Sequence, residues 1–149
     1  MIAIETRSWL EARDAAYAIR YAVFVKEQGI SVELEIDDYD PIAEHALAFV
    51  DDQCVATARV YLDEQDPSKA KLGRMAVLQD FRSQGIGTAL LGETIRAGMM
   101  QGASVFELHA QQSAAPFYAQ LQFKPDGAIF DEVGIPHQRM RLVLGAPGP

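Results

Sequence analysis

The sequence predicts an α/β domain built on a mixed β-sheet flanked by helices. Three observations carry that expectation. Strand and helix patterns succeed one another in the order β-α-β-β-β-α-β-α-β-β. A second helical pattern begins at a glycine-bearing turn that follows a strand. The 149 residues, 49% hydrophobic and 23% charged, have an ordinary globular composition and suffice for one buried core.

Residues 1–6 alternate as a short strand. Ser8 and Glu11 then make a capping-box pattern with Ser8 as N-cap. Beyond it Ala12, Ala15, Ala16, Ile19, Ala22 and Val23 recur at helical spacing to about Phe24. Gly29 closes that segment. An acidic loop follows over residues 33–44, with Asp37-Asp38-Tyr39-Asp40-Pro41 as turn chemistry. Residues 45–50 and 54–62 read as two strands joined by the tight Asp51-Asp52-Gln53 turn, hence a hairpin. A polar loop covers residues 63–70, and residues 71–78 form the next strand. The main helix runs from Gly87 to about Met100, with Leu91, Ile95 and Met99 on one side and Gly102 placed to stop it. Residues 104–109 make a further strand. A short helix follows over 114–121, where Pro116 falls in the first turn and its missing N–H costs nothing. Two last strands are expected, near 123–130 and over 139–144. Residues 1–145 thus read as one domain and 146–149 as a tail.

The formal net charge of −8 argues against nucleic acid as a partner, since phosphate binding needs a basic face. It suits a cationic acceptor better. No apolar run approaches membrane-spanning length, so no membrane association is expected. The first residues lack a basic segment followed by an apolar core, and the expected location is the cytoplasm. Cys54 stands alone, which excludes an internal disulfide and a CxxC site. Inside an apolar strand it reads as a small buried hydrophobe rather than an acyl-carrying nucleophile. The acidic run Glu33, Glu35, Asp37, Asp38, Asp40 and Glu44 lacks the spacing of a calcium loop, and His137 with Glu132 lacks that of zinc, so no metal is expected.

Chemistry concentrates in the turn Arg82-Ser83-Gln84-Gly85-Ile86-Gly87-Thr88. Glycines there let an anion approach the backbone, and the first N–H groups of the helix have no internal partner. The macrodipole adds partial positive charge. Arg82 can pair with phosphate and Thr88 can donate its hydroxyl. No Lys follows Gly87, which excludes a Walker loop, and the third glycine of a dinucleotide fingerprint is missing. Two spaced glycines alone are equally well explained by a tight turn.

The surroundings add more. Met75-Ala76-Val77 followed by Arg82-x-x-Gly85-x-Gly87 resembles the acetyl-CoA-binding motif of the GNAT superfamily of N-acetyltransferases. Downstream, Gln111-x-x-Ala114-x-x-x-Tyr118-x-x-x-x-Phe123 is similar to that family's N-x-x-A-x-x-x-Y-x-x-x-G-F segment. Arg20-x-x-Val23-Phe24-Val25-x-Glu27-Gln28-Gly29-Ile30 and Gly134-Ile135-Pro136-His137 resemble a branch of small bacterial members known mostly as predicted acyltransferases. The likeness covers nearly the whole chain. Gln79 stands where the family usually has Pro, Gln111 where it has Asn, and Gln122 where it has Gly.

The resemblance implies a GNAT-like fold and transfer of an acetyl or short acyl group from acetyl-CoA, or another acyl-CoA, to a primary amine. Met75, Ala76 and Val77 would pair with the pantetheine arm through their backbone. Residues Arg82, Ser83, Gln84, Gly85, Ile86, Gly87 and Thr88 would hold the pyrophosphate, with Gln111 and Phe117 nearby. Tyr118 would serve as general acid toward the departing thiolate. A lysine-like amine with a pKa near ~10.4 must lose a proton before it attacks. Glu33, Glu35, Glu44, His45 and His109 are candidate acceptors of that proton; Glu33 and His45 lead by proximity to the segment that shapes the acceptor side in similar proteins. The acceptor would be a small-molecule amine or a basic peptide, handled by a monomer or homodimer. A non-catalytic acyl-CoA-binding sensor on the same fold is the alternative.

Overall fold

The computed structural model describes residues 2–144, so residue 1 of the expected first strand and the expected tail lie outside the described residues. Helices cover both faces of the sheet because the second strand, β2 (Glu44–Val50), is apolar on both. Its Leu47 and Phe49 meet Ala12 and Ala16 of the first helix, α1 (Trp9–Arg20). Its Ala46 and Ala48 meet Ile86 and Leu90 of the second, α2 (Ile86–Met100). Alanines at these contacts let both helices lie close to the strands.

β1 (Ile2–Ser8), β2, β3 (Gln53–Leu62) and β4 (Lys69–Val77) run antiparallel in sequence order. After α2 the chain returns as β5 (Val105–Gln111), parallel to β4. A short helix, α3 (Ala115–Gln120), leads to β6 (Lys124–Pro125), β7 (Phe130–Glu132) and β8 (Ile135–Val143). The sheet order is β1-β2-β3-β4-β5-β8-β6, with β7 also paired to β8. The expected mixed sheet flanked by helices is therefore present. The β2–β3 turn places Asp51 and Asp52 at φ of 47° and 70°, the left-handed pair that a two-residue hairpin demands.

Four local expectations change. Ser8 occupies the N-cap with extended geometry, yet its side chain caps no backbone N–H. Glu11 is drawn instead to the Ser8 hydroxyl at 3.5 Å and to Arg7 at 3.6 Å, so no capping box closes. The first helix does not run regularly to Phe24: it ends at Arg20 and widens into a π-helix over Tyr21–Glu27, before Gly29 turns the chain at φ 74°. The strand expected near 123–130 is two separate pieces, β6 and β7, because Gly127 at φ 91° breaks the extended run. β8 begins at Ile135 rather than Arg139, joined to β7 by a tight turn through Val133 and Gly134.

Gln122, where the resemblance expects glycine, adopts φ 76°. Phe123 N donates to the Tyr118 carbonyl at 3.1 Å across this turn, which closes α3 in the way a glycine would. A side chain in left-handed backbone costs about 1–2 kcal/mol. Gln122→Gly is expected to stabilise the fold by up to ~1 kcal/mol, the relief of strain being partly offset by the freer unfolded chain. A melting curve checks this; a lower Tm for the glycine variant would contradict it.

Candidate active site

β4 and β5 are paired over three residues each, Lys69–Lys71 against Val105–Glu107. Past that point β4 stays with β3, β5 stays with β8, and the two parallel strands part. A bulge helps β4 turn away. Between Thr57↔Ala76 and Arg59↔Gly73 it carries one residue more than β3, with Arg74 at φ 48°. The opening is a cleft of about 990 Å³, bordered by Leu72, Met75 and Val77 of β4, Leu108, Ala110 and Gln111 of β5, the start of α2, and α3.

At one end of the cleft lies the N-terminus of α2. Gly85 is its N-cap at φ 82°, and no side chain caps the helix, so its first backbone N–H groups lack intrahelical partners. A Cβ at Gly87 would stand 3.3 Å from Met75 Cε, tighter than most Cβ contacts, and 3.4 Å from Phe117 Cζ. The gap there is fitted to a bare backbone. Ser83, Gly85, Gly87 and Thr88 line the cleft. Ile86 is buried in the core with Ala46 and Val55, which leaves its N–H as its only group for a ligand. Gln84 is exposed, its amide on the Asp80 carbonyl at 3.2 Å, and it does not border the cleft.

Arg82 is engaged differently from the expectation of a free phosphate ligand. Its Nη1 and Nη2 each donate to Glu27 at 2.7 Å, and its Nε donates to the Val77 carbonyl at 2.9 Å. These hydrogen bonds hold the Glu27 carboxyl below its usual range. The guanidinium thus ties the π-helix to the end of β4 and to the turn before α2. Gln111 makes a parallel tie, donating to Gln28 Oε1 at 2.7 Å. Glu27 ends the π-helix and Gln28 is its C-cap, a backbone detail that helical periodicity does not register.

At the inner side of the cleft, Tyr118 donates its hydroxyl to Met75 Sδ at 3.4 Å, with Phe117 and Phe123 packed edge-on against its ring. Desolvation there pushes the phenol up to about 12. It therefore stays protonated across the neutral range.

The two leading base candidates are not at the cleft. His45 is buried under Trp9, its Nε2 3.0 Å from the Asp40 carbonyl oxygen, and burial pulls its pKa down. Glu33 lies exposed on a 3-10 turn and does not border the cleft; neither does Glu44. Cys54 is also away from it, with its thiol pushed up by burial. What the acidic loop does instead is close a buried ion network. Arg20 pairs with Glu35 and, at 2.9 Å, with Asp40; Arg59 pairs with Asp40 at 2.9 Å and Asp37 at 2.6 Å. Arg74 reaches Asp37 at 3.1 Å. Three cations face three anions, and Asp37, Arg59 and Arg74 border the cleft.

At the far end of the cleft, three residues from separate strands converge. His109 of β5, Glu132 of β7 and His137 of β8 all border it, with His109 Nδ1 3.0 Å from Glu132 Oε1. Among the described residues no group of His, Cys, Asp or Glu is arranged to hold a metal, and no helix is long and apolar enough to cross a membrane.

Comparison with known proteins agrees with this geometry. A model of the acetyltransferase (GNAT) domain matches residues 15–144. The uncharacterized N-acetyltransferase YjcF of Bacillus subtilis is 33% identical over 141 residues, covering 94% of this chain and 98% of YjcF. The crystal structure of ElaA from Escherichia coli superposes with a TM-score of 0.84 at 27% identity, over 95% of this chain and 99% of that one. A Lactobacillus plantarum structure assigned provisionally as an N-acetyltransferase gives 0.86 at 29% identity, over 96% and 98%.

Burial raises the Asp40 carboxyl, but hydrogen bonds and charge from Arg20 and Arg59 outweigh it and bring it down to about 2. A depressed carboxylate stabilises the fold above its unfolded pKa, and that contribution disappears as pH falls through the folded one. Asp40→Asn should therefore cost stability at pH 7 and flatten the loss of stability between about pH 4 and 2. Chemical denaturation across that range reads both effects, and an unchanged acid limb would contradict the assignment.

Proposed function

The chain belongs to the GNAT family of acyl-CoA-dependent acyltransferases, and from that premise we propose that it transfers an acetyl or other short acyl group to a primary amine. The observation that carries the proposal is the parting of β4 from β5, with an uncapped helix N-terminus at one end and a protonated phenol beside Met75 within. The donor supplies an activated thioester. Backbone N–H groups of Gly85, Ile86, Gly87 and Thr88 are suited to its pyrophosphate, and the bare Gly87 leaves room for it. Free edges of β4 around Met75, Ala76 and Val77 can pair with an extended pantetheine arm as an added strand would.

Arg82 acts here through structure rather than direct phosphate contact: with Glu27 it holds the α2 turn against the π-helix. Tyr118 has the chemistry of a hydrogen-bond donor to developing sulfur charge. A phenol near 12 is a weaker acid than a thiol of about 8.5, so complete proton transfer to a thiolate is uphill. Hydrogen bonding to the departing sulfur lowers the barrier all the same, and solvent then completes the protonation. The acceptor enters from the side bordered by Asp37, Tyr39, Tyr61 and Lys71, opposite the α2 face.

Release of free CoA thiol from acetyl-CoA, measured over a panel of amines and basic peptides, tests the proposal. Amine-dependent release supports transfer; binding of CoA without any release supports a non-catalytic sensor. Tyr118→Phe is expected to lower kcat about 10²-fold while leaving CoA affinity within about threefold. An unchanged kcat would remove the phenol from the reaction. Gly87→Trp, which fills the gap beside Met75 and Phe117, should weaken CoA binding at least ~10-fold by calorimetry, with the circular dichroism spectrum retained. Undiminished affinity would overturn the assignment of the α2 turn.

A further inference from the structure

Glu132 stands between two imidazoles supplied by neighbouring strands. Its Oε1 is 3.0 Å from His109 Nδ1, and its Oε2 is 3.7 Å from His137 Nε2. His137 is itself anchored, because its Nδ1 lies 2.8 Å from the Ile135 carbonyl and must carry the proton to donate there. Phe130 braces His109 edge-on, the ring centroids 5.1 Å apart and the planes at 80°. An ionised carboxylate only accepts hydrogen bonds, so the neutral tautomer of His109 that fits this contact has its proton on Nδ1. Its Nε2 then presents a lone pair, the arrangement in which a carboxylate-held imidazole works as a base.

Placement on the sheet supports the same role. Along β5, Phe106, Leu108 and Ala110 join the core under α2, and Tyr118 packs against that same core. Glu107, His109 and Gln111 alternate to the other face. His109 and Tyr118 therefore border one cleft from opposite faces of the sheet. An acceptor arriving on the His109 side meets the base on its own side, with the sulfur-directed donor beyond.

We propose that His109 is the catalytic base that takes the proton from the attacking amine, and that Glu132 is its positioning residue. This rests on the amine-acyltransferase reading above. In the step, the amine nitrogen forms a bond to the thioester carbonyl carbon and the carbon–sulfur bond breaks. The ammonium form of the amine first gives one proton to His109 Nε2, which relays it to solvent. Once the carbon–nitrogen bond has formed, nitrogen's surplus proton leaves to solvent and the departing sulfur, hydrogen-bonded by Tyr118, gains a proton from solvent. The charged and titratable groups around His109 are Glu132 and His137, Glu107 and Lys71 on the same face, and Arg139, its register partner on β8, which also pairs with Asp126 at 3.4 Å.

The test compares the full-length chain with His109→Asn and Glu132→Gln. Asparagine keeps a donor in the place of Nδ1 but removes Nε2. Acceptors are n-butylamine, glycinamide and 2,2,2-trifluoroethylamine, in falling order of basicity, with thiol release from acetyl-CoA followed at neutral pH. His109→Asn is expected to reduce kcat/KM for butylamine about 10²-fold, with the loss shrinking toward none for trifluoroethylamine, which is already neutral. Glu132→Gln should follow the same trend with a loss of about 10-fold. CoA affinity and Tm, measured beside them, should match the unaltered protein. A loss equal for all three amines, or none at all, would overturn the base assignment and leave the transferase reading standing. If the unaltered chain binds CoA but releases no thiol with any amine, both fall together.

Discussion

Parallel pairing between β4 and β5 stops after Lys71 and Glu107, and each strand then keeps its hydrogen bonds with the neighbour on its outer side. Backbone groups on the two inner edges are left facing one another across a gap. Elsewhere in a protein such an exposed pair of edges would be a liability. Here the gap is fitted at one end by the N-terminus of α2 and bordered by the aromatic residues of α3, so the unpaired edges become walls of a cleft. The bulge at Arg74 is what allows β4 to bend without losing β3.

Holding strands apart requires ties across the mouth. Two of these come from the widened end of α1: Glu27 on Arg82 and Gln28 on Gln111. They grip the two sides of the opening, one at the turn after β4 and the other at the end of β5. On the β4 side, the network of Arg20, Arg59 and Arg74 with Glu35, Asp37 and Asp40 joins α1, β3 and β4 to the acidic loop. Buried ion pairs contribute little net stability compared with apolar packing, yet breaking one side of them costs about 3–5 kcal/mol. Such a network fixes the acidic loop in one place. That placement brings Asp37 and Tyr39 to the border of the cleft. Of the six acidic side chains in that loop, which as a linear run suggest a surface that attracts amines, three are thus engaged in this network, while Glu33, Asp38 and Glu44 stay exposed.

Much of this architecture was legible as pattern. Helical spacing located α1 and α2, alternation located β1, runs bounded by turns and loops located β2 to β5, and two glycines after a strand marked the turn that opens α2. Family likeness singled out Met75, Gly85, Gly87, Gln111 and Tyr118, all of which border one cleft. What local pattern does not register is a partner that lies far along the chain. Arg82 reads locally as a phosphate ligand, but Glu27, 55 positions away, occupies it. His45 reads as a base near the acceptor segment, but Trp9 and the Asp40 carbonyl enclose it.

Local order is the part that one-dimensional information carries well, since periodicity, turn chemistry and helix termini depend on residues a few positions apart. The fold class, the sequence of elements and the glycine-bearing turn before α2 were available on those terms. Which titratable side chains meet was not. His109, Glu132 and His137 sit on three strands, and their convergence depends on the β5–β8 register and on a tight turn at Val133 and Gly134. A shift of one residue in that register would send His137 to the opposite face. The turn that opens α2 is therefore written in adjacent residues, whereas the His109, Glu132 and His137 cluster exists only once the sheet has closed.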